Sequence, residues 1–322
     1  MIGPSFLVVD KAPGLTSHDV VAIVRAVTGI RKVGHTGTLD PFAQGVLPLA
    51  LGAATRLVQF LDESEKVYDA TIALGAATDT GDPTGTVIRE APVPALGPDR
   101  VQAVLDEFVG ERMQRPPRFS AVKVQGRRLY EYARQGLQVE AQPRPIRIHS
   151  LALTDLEPQA LRVLLTCSRG TYARGLADEI AEALGTAGHL RSLTRTRSGP
   201  FVLERAISLA RLSELAAGTQ EWERALRPHR GEDRVPWLPR EQVHASLEPW
   251  CLAPVHALAG MPLLPVAHGV ADVVARGGPL PAPPAGTRPG GRFLVVAGDV
   301  AVAVGESRGG GRTLALWRAT AE

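Results

Sequence analysis

Lysine is scarce in this chain. Only four of its 36 basic residues are lysines, Lys11, Lys32, Lys66 and Lys123. Arginine carries the rest, and its planar fork can hold two phosphate oxygens at once. Cysteine is scarcer still. Cys167 and Cys251 lie in or beside apolar sequence, and neither has a partner at metal-ligand spacing. That argues against a zinc site and a disulfide framework, and it suits a reducing cytoplasm. No apolar run approaches the roughly 18 residues that a membrane span needs. The start, MIGPSFLVVDKAPG, has no basic segment before its short apolar run, so no secretory signal is expected. No internal repeat is evident.

What is present is ample core material. The chain has 322 residues and 44% hydrophobic content, enough for one large domain and a small one. The net charge of +3 is unevenly spread. Residues 1–110 carry 8 basic and 13 acidic side chains, whereas residues 111–200 carry 15 and 8. A preference for arginine over lysine can follow from codon usage, but the clustering cannot. A basic middle third points to a polyanion docking on one face.

The stretch from Gly34 to Leu61, GHTGTLDPFAQGVLPLALGAATRLVQFL, organises the chain. It opens as a glycine-punctuated polar loop. Leu47, Leu51, Ala54, Val58 and Leu61 then recur at helical spacing, which predicts an apolar helix. Asp40 precedes Pro41, and a proline biases its predecessor towards extended backbone. Asp40 is therefore expected on a stiff loop beside His35, Thr36 and Thr38, where a carboxylate can act as nucleophile or general base. Asp before Pro is also a common turn former or helix cap. Gly29 to Thr36, GIRKVGHT, approaches a phosphate loop, but His35 stands where that loop needs lysine.

Other segments follow in order. SFLVVD reads as a buried strand, Ser17 as the cap of a helix closed by Gly29, and Lys66 to Gly75 as a strand with Tyr68 its only aromatic. TDTGDPTG, Thr78 to Gly85, holds Asp79 and Asp82, whose spacing matches no calcium loop. A hydrogen-bonded turn is the expectation there. A helix should run from Pro98 to about Phe108. From Arg112 to Tyr132, Arg and Lys are interleaved with Phe119, Tyr130 and Tyr132. That composition suits looped RNA, and equally a solvated hairpin and helix anchored by its rings. Ile146–Leu156 and Leu161–Cys167 read as a strand pair. SRGTYAR, from Ser168, leads into a helix over Gly175–Leu184 whose start favours anions. Arg191, Arg195 and Arg197 are near-alternating, as on one face of a strand. A charged insertion spans about 218–248, and the end of the chain, rich in Pro and Gly around 277–291, reads as a small β unit.

Six of these segments, taken together and in order, resemble the TruB-type tRNA pseudouridine synthases. They are KAPGLTS (Lys11–Ser17), GHTGTLDPFAQGVLP (Gly34–Pro48), Tyr68 with TDTGDPTG, FSAVKVQGRRLYEYARQG (Phe119–Gly136), RGTYARGLADEI (Arg169–Ile180) and HLRSLTRTRSGPF (His189–Phe201). The resemblance covers nearly the whole chain. It implies an α+β catalytic domain over 1–260, with a mixed, mostly antiparallel sheet and flanking helices. It also implies a small β-rich, PUA-like RNA-binding domain over 261–322. The implied reaction is isomerisation of a uridine in the tRNA T-loop, position 55, to pseudouridine, without metal or other cofactor. Asp40, Tyr68 and Arg174 are the implied catalytic residues, with Arg174 the ion-pair partner that keeps Asp40 charged. His35, Tyr68, Tyr172 and Leu193 would line the substrate pocket, and Lys123 would touch a phosphate. Gln44 stands where the family usually has Thr, and Thr194 where it usually has Arg, so the cation that the family offers to RNA there is missing. The resemblance implies a cytoplasmic monomer that binds the T-arm of tRNA, with no membrane and no required protein partner. Two readings compete: a tRNA-binding folding helper with secondary catalysis, and a guide-dependent RNA pseudouridine synthase.

Overall fold

The computed structural model describes residues 2–61, 65–120, 122–227 and 235–319. Part of the charged insertion, 228–234, lies outside the described residues. Packing divides the chain into two units, one of residues 1–40, 46–62 and 199–322, the other of residues 41–45 and 63–198.

In the first unit the strand Ser5–Lys11 pairs in parallel with Ile207–Ser208 and antiparallel with Cys251–Leu252. The helix Ser17–Thr28 comes next, with Val20, Val21, Ile23, Val24 and Val27 buried and Gly29 capping its end at φ +70°. The capping residue is Thr16 rather than Ser17. The Thr16 hydroxyl accepts from the Asp19 N–H at 3.1 Å, and the Asp19 carboxylate accepts from the Thr16 N–H at 2.8 Å, a reciprocal capping box.

The apolar segment after Asp40 is not the expected helix. Gln44–Leu51 is a strand, paired antiparallel with Val33–His35, and short 3-10 turns occupy Gly52–Arg56 and Val58–Phe60. Val46, Leu47, Leu49, Ala50 and Leu51 are all fully buried. A helix would bury only one stripe of this run, and Pro48 inside it would cost about 3 kcal/mol. A strand covered on both faces buries every one of these side chains, at about 1.5–3 kcal/mol for each leucine.

The C-terminal residues build a four-stranded sheet in the order Leu263–Pro265, Arg292–Ala297, Val300–Gly309, Arg312–Arg318. Its first pair is parallel and the others antiparallel. Leu294, Val304 and Trp317 share a core with Phe6, Val8 and Ala50 of the same unit. The Trp317 indole N–H donates to the Ala53 carbonyl at 3.1 Å. Phe293, Val295 and Ala303 pack with Val274 of the helix His268–Ala275 in a second cluster.

The second unit is an antiparallel sheet in the order Gly188–Ser198, Glu65–Leu74, Ala160–Ser168, Arg144–Glu157, Gly110–Gln114. Gln44 and Gly45 pair in parallel with Thr194 and Arg195, so the sheet is mixed and mostly antiparallel, as expected. Burial alternates along Glu65–Leu74, with Tyr68, Ala70, Ile72 and Leu74 inside. The helix Ala173–Ala183 lies against this inner face. At Gly188, opposite Leu74, any Cβ would collide with that of Ala181 on the helix, so only glycine permits the approach. The helix Pro98–Asp106 begins where expected. Among the described residues no helix is long and apolar enough to cross a membrane.

Candidate active site

His35 and Asp40 belong to the first unit. His35 ends the strand Val33–His35 opposite Leu49, and its ring meets that of His18 edge-on at 5.3 Å. The Thr36 N–H donates to the Pro48 carbonyl at 3.1 Å, which folds the GHTGT loop back on the buried strand. Ser17, three residues after Gly14 in the first motif, holds the other side of that loop. Its hydroxyl donates to the Leu39 carbonyl at 3.1 Å and accepts from the Leu39 N–H at 2.9 Å. Both backbone groups of the residue before Asp40 are thereby fixed by one buried side chain. Lys11, fully buried, donates through Nζ to the carbonyls of Ala12 at 3.0 Å and Leu15 at 2.7 Å, and so braces the KAPGL turn that presents Ser17. Sequence reasoning missed both roles; the signal was only that Lys11 and Ser17 stand inside a motif.

In the second unit, Tyr68 is 8% exposed and sits directly opposite Leu165 on one neighbouring strand and Arg195 on the other. Leu193, 6% exposed, is opposite Ala70. Cross-strand partners share a face, so Tyr68, Leu193 and Arg195 stand together on the inner side of the sheet. The expected alternation of Arg191, Arg195 and Arg197 fails here. The strand has register shifts between Leu190 and Ser192 and between Arg195 and Arg197. A bulge flips the facing of the residues beyond it, so Arg195 is fully buried while Arg191 and Arg197 are exposed. Gly45 makes this packing possible. At φ +99° it runs against Arg195, whose carbonyl occupies the space a Cβ would need.

Tyr172 and Arg174 begin the helix Ala173–Ala183. Gln114, buried at the end of its strand, grips the backbone of Tyr172. Its amide donates to the Tyr172 carbonyl at 3.0 Å and accepts from the Tyr172 N–H at 2.8 Å. Arg174 is 5% exposed. It donates through Nη1 to the Thr80 carbonyl and through Nη2 to the Phe119 carbonyl, both at 2.9 Å, and lies 3.7 Å from the Asp82 carboxylate. One guanidinium thus ties together the TDTGDPTG loop, the FSAV segment and the helix. Asp82 is itself satisfied by the Thr80 hydroxyl at 2.8 Å, the Thr84 N–H at 3.0 Å and the Thr84 hydroxyl at 2.5 Å. Asp79 accepts from the Thr86 N–H at 2.9 Å. The loop is the hydrogen-bonded turn expected of it, and no metal-holding cluster occurs among the described residues.

Lys123 is exposed on a small hairpin, Lys123–Val124 with Arg127–Arg128. Gln125 and Gly126 turn it with φ +50° and +82°, as a two-residue primed turn requires. The Arg127 guanidinium lies 4.7 Å from the ring centre of Tyr132, whose hydroxyl donates to the Val124 carbonyl at 3.2 Å. Tyr132 therefore anchors the hairpin. Tyr130, half-buried, is faced by Arg134 at 5.3 Å and Arg128 at 5.9 Å.

The two departures from the family pattern meet each other. Gln44 and Thr194 are register partners, and the Gln44 amide donates to the Thr194 hydroxyl at 3.0 Å. Thr194 offers no cation for RNA, and its hydroxyl is engaged within the sheet.

Two family models match in succession: the TruB family pseudouridylate synthase N-terminal domain over residues 25–173, and the tRNA pseudouridylate synthase B C-terminal domain over 174–229. A tRNA pseudouridine synthase B of Geobacter sulfurreducens is 52% identical over 211 residues, 66% of this chain and 69% of the relative. One from Bacillus licheniformis is 42% identical over 249 residues, 75% and 81% of the two chains. Among solved structures, a Cbf5-Nop10-Gar1 complex aligns with TM-score 0.66 and 28% identity over 94% of this chain and 78% of that one. Asp40, Tyr68 and Tyr172 fall in the first matched segment, and Arg174 and Leu193 in the second. The chain belongs to the TruB family of pseudouridylate synthases.

Proposed function

We propose that this chain isomerises the uridine at position 55, in the T-loop of tRNA, to pseudouridine. The observation that carries the reading is the unbroken family match across residues 25–229, which contains Asp40 inside its signature. The reaction breaks the N1 glycosidic bond, turns the base and joins C5 to the sugar. Atoms are conserved, so no oxidant, reductant or external cofactor is needed.

Asp40 is the carboxylate that attacks the nucleotide or stabilises it as the bond breaks. It must be ionised, and Arg174 supplies the positive charge that favours that form. Clasped through Leu39, Asp40 loses little freedom on meeting its substrate. The target base is extruded from the loop at a cost of a few kcal/mol, offset by stacking and hydrogen bonds in a pocket. Tyr68 stacks on that base, and His35, Tyr172 and Leu193 complete the lining. Lys123 on its hairpin contacts a phosphate. Residues 1–260 form the catalytic domain and 261–322 a PUA-like RNA-binding domain. The protein acts in the cytoplasm as a monomer, on the T-arm of tRNA, with no protein partner.

A second reading, guide-dependent modification within a ribonucleoprotein, draws on the likeness to an H/ACA RNP bound to a substrate RNA, at TM-score 0.62 and 27% identity. The test incubates the purified chain, without any guide RNA, with unmodified tRNA and with a tRNA carrying cytidine at position 55. Pseudouridine at position 55 of the first, and none in the second, is expected. Product that forms only when a guide RNA is added would overturn the reading.

A further inference from the structure

A pocket of about 450 Å³ lies in the first unit, between the end of the helix Ser17–Thr28 and the helix Arg240–Leu247 at the close of the charged insertion. Arg31, Lys32 and Arg240 rim it, with Gly29, Ile30 and Gly52 providing backbone and apolar surface. The same Gly29–Lys32 segment begins the near match to a phosphate loop.

Three features bear on what this pocket can hold. First, among the described residues Arg31, Lys32 and Arg240 form no ion pair and no side-chain hydrogen bond, whereas Arg89, Arg112 and Arg162 are paired with carboxylates. Second, Arg240, though exposed, is laid against the backbone at Gly29. Its guanidinium covers Gly29 so closely that a Cβ there would stand 2.6 Å from Cζ. Third, the helix bearing Arg240 is locked in place. The buried His244 ring lies with Nε2 2.7 Å from the Thr28 carbonyl, and its Nδ1 accepts from the Ile2 N–H at 3.1 Å. Nε2 must therefore carry the proton and donate.

Proximity to a helix C-terminus favours one cation there, but it does not account for three. Among the described residues Glu241 is the only carboxylate on the rim, against the three cations Arg31, Lys32 and Arg240. Like charges gathered in excess of their counter-ion repel, and that cost is recovered when an anion arrives.

We propose that this pocket binds a backbone phosphate of the RNA substrate, with the ribose against Ile30 and the glycines, and that the insertion helix serves to deliver Arg240 to it. The proposal rests on the function proposed above for the identity of the polyanion. A free nucleotide would share the chemistry, so the test separates the two.

Dissociation constants for unmodified tRNA are measured from 50 to 300 mM KCl for wild type, Arg240→Gln and the double variant Arg31→Gln/Lys32→Gln. Arg211→Gln, which removes an exposed arginine paired with Glu214, controls for net charge. Adenosine monophosphate is titrated as competitor. Removing one phosphate-binding cation should lower the salt slope by about one and weaken tRNA binding roughly fivefold, with Arg211→Gln near wild type. The double variant decides the matter if Arg240→Gln disturbs the helix. Slopes unchanged in both variants would overturn the proposal, as would adenosine monophosphate binding that these variants abolish while tRNA binding stays intact. Pseudouridine yield from the same wild-type samples reports separately on the proposed isomerisation.

Discussion

At the scale of the residue, Arg174 has a structural role that its place in a motif does not announce. Replacing it with Ala leaves the Asp82 carboxylate buried without its cation and two carbonyls without donors, so a loss of about 3–5 kcal/mol is expected. Arg174→Lys keeps the charge, but an ammonium cannot span the carbonyls of Thr80 and Phe119 as the fork does. A smaller loss of about 1–2 kcal/mol should result. Urea denaturation midpoints check both, independently of activity; a wild-type midpoint for Arg174→Ala would show that the buried pair contributes nothing. Ser17→Ala deprives both backbone groups of Leu39 of a partner. About 1–3 kcal/mol of local stability should go, and turnover should fall because the Asp40 loop is no longer fixed. Steady-state kinetics with tRNA would show kcat reduced more than KM is raised. The motif around Asp40 was legible in the sequence because proline restricts the backbone locally and glycine marks where it must turn. The Ser17–Leu39 clasp was not, since it joins positions 22 residues apart and no spacing rule reports such a pair. Nor was the capping box at Thr16, because Ser17 beside it is an equally good cap by type.

At the scale of the element, strands with alternating burial were read correctly. Glu65–Leu74 has a single covered face, and its period of two survives in the sequence. Gln44–Leu51 was misread because a strand buried on both faces has no period, and its leucines fell by chance at helical intervals. The arginines of Gly188–Ser198 were misassigned for a related reason. Bulges break the count of two, and nothing in the residue types marks where they fall. The hairpin at Lys123 invites a test. Gln125 holds φ +50°, a conformation that Asn tolerates better than Gln. Gln125→Asn should stabilise the hairpin by a few tenths of a kcal/mol, seen as slower tryptic cleavage after Arg127 and Arg128. Faster cleavage would show that the turn does not limit opening.

At the scale of the whole molecule, the scarce residues become informative again. Burial pushes the Cys167 thiol from its ordinary value of 9.0 up to about 11 and raises Cys251 similarly. A folded-state value above the unfolded one means that the thiol's contribution is intact below about pH 9. It is lost as the pH climbs towards 11, because the unfolded chain ionises first. For Cys167, fully buried, the two-unit shift corresponds to about 2–3 kcal/mol. Urea midpoints should therefore drop between pH 8 and 11, and the drop should be smaller in Cys167→Ala. An equal drop in both would assign it to other groups. The uneven charge that suggested a polyanion from sequence alone takes shape in part as the hairpin of Lys123, Arg127 and Arg128, whereas the cations around Gly29 lie outside that basic stretch. The central claim concerns Asp40. It is tested most directly by pseudouridine formation on an unmodified T-arm hairpin, wild type against Asp40→Asn, with binding measured in parallel. The account expects product from wild type alone and near-equal binding by both. Product from both would remove Asp40 from the chemistry, and product from neither, with binding intact, would make this chain an RNA binder rather than the enzyme described.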